Sequence, residues 1–167
     1  ITTQTRVLRA NGTGGFTVGA EDALTRPDAL ADFDQDGNVD VLRLDCPSPM
    51  LPDGGFSTTP VPCFARVEFG AASFRFGVDS VSLALNVFAT EVQLRAADFD
   101  ADGRADVLVR TNAGLSLFRN LGTRQFAAPT LTPFLPAVQD LAVVDVDRDG
   151  RNDVMVLANA NAPRAVY

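Results

Sequence analysis

The stretch DFDADGRAD at residues 98–106 places four aspartates in nine positions, and near-copies stand at residues 32–40 (DFDQDGNVD) and 145–153 (DVDRDGRND). We refer to them in chain order as loop 1 (32–40), loop 2 (98–106) and loop 3 (145–153). Like charges at this spacing repel one another, so a counter-charge has to offset them. In each copy the aspartates occupy positions 1, 3, 5 and 9 and glycine occupies position 6, where it permits the positive φ of a tight turn. The pattern therefore predicts three loops whose carboxylates converge on a cation.

Calcium is the cation that this pattern favours. It accepts roughly six to eight oxygen ligands at irregular angles, whereas magnesium demands a stricter octahedron. The loops contain 12 of the 21 acidic residues, and three divalent ions would take the formal net charge from −7 to about −1. Aspartate-rich solvated turns are the alternative interpretation. An EF-hand is excluded, because position 12 is Arg43, Val109 or Val156 instead of glutamate and the flanking segments do not have a helical pattern.

Short segments rich in valine and leucine lie on both sides of each loop, such as VQLRAADFD before loop 2 and ADVLVRT after it. Their length and β-branched content favour strands. A glycine-containing turn followed by phenylalanine recurs later in each repeat, and two further strands, LSLFRN and QFAAPTLTPF in the second copy, are predicted around it. The phenylalanines expected in the core are Phe16, Phe33, Phe74, Phe99 and Phe126.

The repeat is a unit of about 47 residues with four antiparallel strands, in which the acidic loop joins the first strand to the second. We expect the last two strands of one unit in residues 1–27 and full units in 28–87 and 88–136. Residues 137–167 should contain the first three strands of another unit and end in the strand RAVY. The first full unit carries an insertion between its second and third strands. The sequence thus predicts a single all-β module without helices.

Composition excludes several classes of function. All 14 basic residues are arginine and form no basic run, so we expect no nucleic-acid partner. No apolar run approaches the ~18 residues that cross a bilayer. Histidine and lysine are both absent, which removes the commonest general base, the commonest zinc ligand and lysine-based covalent chemistry. We therefore predict no catalytic residues.

The units resemble FG-GAP or VCBS repeats, which are the blades of integrin α-type β-propellers and of many bacterial surface proteins. The resemblance covers nearly the whole chain and rests on the acidic loops and on LFRNLGTRQFAAP (residues 117–129), which is similar to the family's Asn-x-Gly-x-x-x-Phe-x-x-Pro segment. It implies four-stranded antiparallel blades of a β-propeller, with a calcium loop between the first and second strand of each blade. Because the chain has two complete units, we expect a partial propeller or a module completed by oligomerisation. The first copy departs from the pattern through its insertion and its degenerate FGAASF turn.

The resemblance also implies about three calcium ions and a set of ligands for them. The implied side-chain ligands are Asp32, Asp34, Asp36 and Asp40, then Asp98, Asp100, Asp102 and Asp106, and finally Asp145, Asp147, Asp149 and Asp153. The implied backbone ligands are the carbonyl oxygens of Asn38, Arg104 and Arg151.

Cys46 and Cys63 bracket the insertion at the ends of two strands that should be neighbours in a hairpin. This placement predicts a disulfide, and two unrelated buried thiols are the alternative. A disulfide and calcium loops fit a non-reducing compartment, so we expect an extracellular or cell-surface location, including a bacterial periplasm or outer surface.

The predicted function is that of a non-catalytic, calcium-stabilised module of an exported or cell-surface protein that mediates protein or glycan interaction or adhesion. Met50, Leu51 and Phe56 of the insertion either form a contact surface or cover a neighbouring blade. The alternative is the propeller of a secreted calcium-dependent enzyme such as a polysaccharide lyase. That enzyme would need a basic residue in a cleft, for which the candidates are Arg66, Arg95 and Arg119.

Overall fold

The computed structural model describes residues 5–22, 26–46, 62–72, 75–85, 92–111, 113–133 and 138–158. These residues form strands, turns and loops, with no helix and hence none that could span a bilayer. The all-β prediction is confirmed for this part of the chain. In chain order the strands are β1 (Thr5–Ala10), β2 (Phe16–Asp22), β3 (Ala29–Ala31), β4 (Asp40–Asp45), β5 (Phe64–Ala71), β6 (Arg75–Ala84), β7 (Gln93–Ala97), β8 (Asp106–Thr111), β9 (Gly114–Phe118), β10 (Asn120–Gly122), β11 (Gln125–Phe126), β12 (Thr130–Pro133), β13 (Val138–Val144) and β14 (Asp153–Ala158).

Two four-stranded antiparallel sheets form the centre of the molecule. Sheet 1 has the order β3-β4-β5-β6, and sheet 2 has the order β7-β8-β9-β12. An antiparallel hairpin lies on the chain before them (β1-β2) and another after them (β13-β14). In both full sheets, as in the last hairpin, the acidic loop joins the first strand to the second, as the sequence predicts. The division of the chain after residues 27, 87 and 136 stays a prediction.

The glycine turn of the second unit is more elaborate than expected. The segment QFAAPTLTPF was predicted as one strand, but its beginning forms β11, which pairs with β10 in a separate two-stranded sheet, and only β12 pairs with β9. The cause is local, because Thr123 (φ 51°) and Arg124 (φ 62°) both adopt the left-handed region and close a two-residue hairpin. The chain must therefore turn again before it reaches the edge of sheet 2.

The hydrophobic core lies between sheets 1 and 2. Phe33, Leu42 and Val67 from sheet 1 and its loop pack with Leu94 and other apolar residues of sheet 2, and all are almost fully buried. The apolar face of each sheet is therefore buried against the other sheet. The central strand β8 is buried along its whole length.

Two of the five expected core phenylalanines lie in this interface, where the rings of Phe33 and Phe126 meet edge to face at a centroid distance of 6.1 Å. Phe99 is half-buried, and Phe74 lies outside the described residues. The prediction for Phe16 is wrong, because its side chain is 69% exposed. The reason is that, among the described residues, no sheet covers this face of the β1-β2 hairpin.

The expected disulfide joins Cys46 and Cys63, whose Cα atoms are 4.3 Å apart. The two cysteines lie at the ends of β4 and β5 that are remote from loop 1, next to the paired residues Asp45 and Phe64. The insertion therefore leaves sheet 1 on the side opposite the acidic loop. Its proposed contact residues Met50, Leu51 and Phe56, and the predicted strand RAVY, lie outside the described residues.

Candidate metal centres

The first aspartate of each loop closes the loop on itself. In loop 1 the Oδ1 atom of Asp32 accepts a hydrogen bond from the backbone N–H of Asp36 (3.1 Å), and its Oδ2 atom accepts one from that of Gly37 (2.9 Å). The position-1 aspartates of loops 2 and 3, Asp98 and Asp145, accept bonds from the corresponding amides at 2.8–3.2 Å. Three copies of the sequence motif therefore give three copies of one loop.

The backbone of the loops confirms the role of glycine at position 6 and reveals a second special position. Both position 4 and position 6 have positive φ in every copy, and sequence reasoning identified only the glycine. The φ values at position 4 are 60° (Gln35), 60° (Ala101) and 63° (Arg148), and those at position 6 are 86° (Gly37), 84° (Gly103) and 90° (Gly150). Two left-handed residues two positions apart curl the chain tightly enough to turn successive aspartates inward.

Carboxylate oxygens converge in all three loops. Within each cluster three oxygens, one from each carboxylate, lie within 4.8 Å of one another. The clusters are Asp32, Asp34 and Asp36 in loop 1; Asp98, Asp100 and Asp106 in loop 2; and Asp145, Asp147 and Asp153 in loop 3. A set of oxygen donors this close matches the chemistry of a hard cation such as calcium. In loop 1 the backbone amide of Asn38 lowers the pKa of Asp36, which favours its ionised form.

The aspartate at position 9 also accepts backbone hydrogen bonds, a structural role that sequence reasoning did not identify. The carboxylate of Asp106 is fully buried and accepts hydrogen bonds from the backbone N–H groups of Phe99 (3.1 Å) and Asn120 (2.7 Å). It thereby ties loop 2 to the chain just after the third strand of its sheet. Burial raises the pKa of Asp106, and the two hydrogen bonds act in the opposite direction.

Asp40 makes the same connection in loop 1, with bonds of 2.7 Å from the backbone N–H groups of both Phe33 and Gly70. Burial likewise raises the pKa of Asp40. We call each pair of hydrogen bonds to a position-9 carboxylate a clamp. Each carboxylate oxygen retains a second lone pair, so the two clamps are compatible with metal ligation. Of the three position-9 aspartates, Asp40 is the one that does not belong to the carboxylate cluster of its own loop. The ligand assignments of all twelve aspartates, Asp40 and Asp106 included, stay predictions.

Asn120 connects the two acidic loops through the sheet interface. Its buried side-chain amide donates hydrogen bonds to the carbonyl groups of Phe33 (2.7 Å) in loop 1 and Ala105 (3.0 Å) in loop 2, and its Oδ1 atom accepts one from the N–H of Gly122 (2.9 Å). Asn120 is the asparagine of the Asn-x-Gly segment. The motif identified Asn120 in the sequence, but it did not predict the hydrogen bond to Phe33, which lies 87 positions away.

Gly70 occupies the place of Asn120 in the first unit, which accounts for the degenerate turn there. A Cβ atom at Gly70 would lie 2.1 Å from the carbonyl oxygen of Val39. Glycine is therefore required where the end of β5 approaches the end of loop 1. Its amide still donates a hydrogen bond to the position-9 residue Asp40.

The three loops lie next to one another along one edge of the molecule. The side-chain amide of Gln35 in loop 1 donates to the carbonyl oxygen of Gly103 in loop 2 (3.0 Å), and that of Asn152 in loop 3 donates to the carbonyl oxygen of Asp98 (2.7 Å). Loop 2 thus contacts a neighbour on each side. The loops form a continuous acidic row that follows the order of the sheets.

The residues predicted to supply backbone ligands lie at position 7. The N–H groups of Asn38, Arg104 and Arg151 donate to the position-5 carboxylates at 2.7–2.9 Å. In addition, the guanidinium group of Arg104 forms an ion pair with Asp102 and donates to the carbonyl oxygen of Asn120 (3.1 Å). Ligation by the position-7 carbonyl oxygens stays a prediction.

The three arginines considered for catalysis each lie near a carboxylate. The nitrogen–oxygen distance is 3.1 Å from Arg66 to Asp45, 3.6 Å from Arg95 to Asp140 and 3.7 Å from Arg119 to Asp100. A guanidinium group is already protonated and has only hydrogen-bond donors, so it cannot accept a proton. These contacts give the lyase alternative no support.

Comparison with known families supports the resemblance noted in the sequence. The model of the FG-GAP-like repeat matches residues 98–156, which begin at loop 2 and end within β14. Over these residues the resemblance is confirmed, and it suggests a repeat module for adhesion or interaction. FG-GAP repeats and disulfides are typical of extracellular proteins. Neither a curated protein nor a solved structure matches the chain.

Proposed function

We propose that this chain is a non-catalytic, calcium-stabilised part of a β-propeller in an exported or cell-surface protein, where it mediates binding to a protein or a glycan. The observation that carries the proposal is the threefold recurrence of one loop geometry, each time with three carboxylates within 4.8 Å of one another. A solvated turn has no physical reason to concentrate charge in this way at the same place in three units.

Calcium would be held by the carboxylates of each loop, with the position-7 carbonyl group as an additional ligand. Bound calcium supplies the positive charge that offsets the repulsion within the loop. Because the loops contact one another through Gln35 and Asn152, charge neutralisation in one loop also favours the packing of its neighbours. The ions therefore stabilise both the hairpins and the spacing of the sheets.

A propeller is the architecture that extends the observed arrangement. Sheets 1 and 2 pack face to face, and Arg95 of β7 reaches the carbonyl oxygen of Leu141 in β13 (3.4 Å), so the first strands of successive units are neighbours. The outer hairpins expose large apolar side chains, among them Phe16 of β2 and Met155 of β14. We propose that further blades, or a second copy of the chain, cover these faces. Light scattering coupled to size-exclusion chromatography tests the second-copy version, which a monomeric mass would reject.

Removal of calcium is the decisive test of the metal sites. An ion at about 100 times its Kd stabilises the folded state by about 2.7 kcal/mol per site. For a domain of this size 1 kcal/mol corresponds to about 2–4 °C in Tm, so the loss of three ions should lower Tm by roughly 16–32 °C. Circular dichroism melts in calcium and in excess chelator measure this shift.

The matched control is the triple variant with Asp34, Asp100 and Asp147 changed to asparagine. Position 3 lies in the carboxylate cluster of every loop, but it accepts fewer backbone bonds than position 1, so its substitution removes charge and leaves most of the loop intact. This variant should melt at the same temperature with and without calcium. A wild-type melt that chelator leaves unchanged would refute the calcium sites.

Partner binding is tested separately with a glycan array probed in calcium and again in chelator. A calcium-dependent signal supports glycan recognition. Turnover of acidic polysaccharides would instead favour the lyase alternative and overturn the non-catalytic assignment.

A further inference from the structure

Arg124 lies in the turn of the β10-β11 hairpin, which follows β9 of sheet 2, and its side chain reaches across to loop 1. Its Nε and Nη2 atoms lie 2.8 Å and 2.7 Å from the Oδ2 atom of Asp34, and its Nη1 atom lies 2.5 Å from an oxygen of Asp79 on β6. The guanidinium carbon also lies 4.4 Å from the ring centroid of Phe69, in a cation–π position. Arg124 is separated from Asp34 by 90 positions in the chain.

This contact makes loop 1 different from the other two loops. The side chain of Asp34 is only 6% exposed, since the guanidinium group covers it. At the equivalent position of loop 2, Asp100 has a single, longer ion pair of 3.7 Å with Arg119, whose side chain is 55% exposed. In loop 3, Asp147 forms no ion pair with any residue that the structure describes. The position-3 carboxylates thus range from one in a close ion pair (Asp34) to one without an ion pair in the part of the chain that the structure describes (Asp147).

A guanidinium group and a divalent ion would compete for the carboxylate of Asp34. Both donors of Arg124 use Oδ2, and the other oxygen already accepts a bond from the amide of Asp36 (3.2 Å). A divalent ion within the Asp32, Asp34 and Asp36 cluster would lie close to the guanidinium charge and be repelled by it. Asp79 lies outside the loop and gives Arg124 a second anionic partner, so the arginine can leave Asp34 without losing all of its ion pairs.

We propose that Arg124 is a resident cation that competes with calcium for loop 1. Without calcium, its guanidinium group neutralises Asp34 and links the β10-β11 hairpin of the second unit to sheet 1 and its loop. Calcium binding at loop 1 displaces the group from Asp34 and leaves it on Asp79. Loop 1 is therefore the weakest of the three calcium sites and fills last. This inference rests on the proposed calcium binding and adds an order of occupancy to it.

The test compares Arg124→Ala with the wild type and with Arg119→Ala as the matched control. Calorimetric titration with calcium should resolve the weakest site of the wild type and show it bound about two- to fivefold more tightly in Arg124→Ala, as removal of one competing, partly covered ion pair predicts. In chelator the same variant should melt at a lower temperature than the wild type, since the link between the hairpin and sheet 1 is lost. Arg119→Ala should change both quantities much less.

These opposite effects on affinity and on stability distinguish a competitor from a purely structural arginine, which would lower both. Asp79→Asn provides an independent variant that retains Arg124. It removes the alternative partner, so calcium affinity at the weakest site should fall severalfold. If the wild type takes up no calcium at all, the proposed function and this inference both fail. If it binds calcium but Arg124→Ala and Asp79→Asn leave the weakest site unchanged, only the competition is refuted.

Discussion

Asp106→Asn should destabilise the protein even when no metal can bind, because the position-9 carboxylate is a clamp in its own right. The fully buried carboxylate accepts two backbone hydrogen bonds, from Phe99 at 3.1 Å and from Asn120 at 2.7 Å. A hydrogen bond to a charged group contributes about 1.5–3 kcal/mol to stability. Asparagine retains one acceptor oxygen but turns its NH₂ group toward the other backbone N–H, so one bond is lost and a donor faces a donor.

The expected loss is about 2–4 kcal/mol in the free energy of unfolding, or roughly 5–15 °C in Tm for a domain of this size. Urea and thermal denaturation in excess chelator measure it, so that metal ligation does not contribute. Hydrogen exchange should locate the damage, with faster exchange of the Phe99 and Asn120 amides. Asp102→Asn is the control in the same loop. Asparagine keeps an acceptor oxygen for the amide of Arg104 and loses only the partly exposed ion pair with the Arg104 side chain, so stability should change by less than about 1 kcal/mol. If Asp106→Asn is as stable in chelator as this control, the clamp is not a stabilising interaction.

Three further substitutions test the backbone, the sheet interface and the covalent link. Gly103→Ala places a Cβ atom on a residue with φ of 84° and should lower stability by about 1–2 kcal/mol in urea denaturation, and an unchanged midpoint would show that the loop relaxes. Asn120→Ala removes three side-chain hydrogen bonds between and within the loops and should cost about 2–4 kcal/mol, whereas Asn11→Ala, in an exposed turn of similar design, should cost less than half of that. Replacing Cys46 and Cys63 with serine opens a loop closed across 17 positions and should cost about 3 kcal/mol by chain entropy, while melts equal to those of the oxidised wild type would contradict that.

The features that the sequence predicted correctly are those determined within a few residues. A glycine directly after an aspartate, flanked by short β-branched segments, is sufficient to specify a turn between two strands, and the chain contains that signal three times. The pairing of Cys46 with Cys63 followed from the same logic, because a hairpin brings the ends of its strands together. Local sequence patterns therefore predicted the order of the strands, the position of each acidic loop and the disulfide.

The features that the sequence did not predict depend on residues far apart in the chain. Phe16 has the same local pattern as Phe126, yet only Phe126 lies against a neighbouring sheet, so the two differ in burial. Asp106 was predicted to be a metal ligand from its position in the motif, but its hydrogen bond to Asn120 requires knowledge of where the third strand ends. The contact of Arg124 with loop 1 depends on how two sheets pack, which no local pattern encodes.

The left-handed residue at position 4 of each loop has a consequence for how such modules diversify. Gln35, Ala101 and Arg148 share the same backbone angle and are all exposed, although their side chains are an amide, a methyl group and a guanidinium group. The tip of the loop is thus shaped by the main chain and accepts different side chains, of which that of Gln35 also donates a hydrogen bond to the carbonyl oxygen of Gly103. Ala101 and Arg148 can therefore be substituted while the acidic scaffold beneath stays the same, which makes these two positions suitable sites for attaching probes or grafting recognition residues.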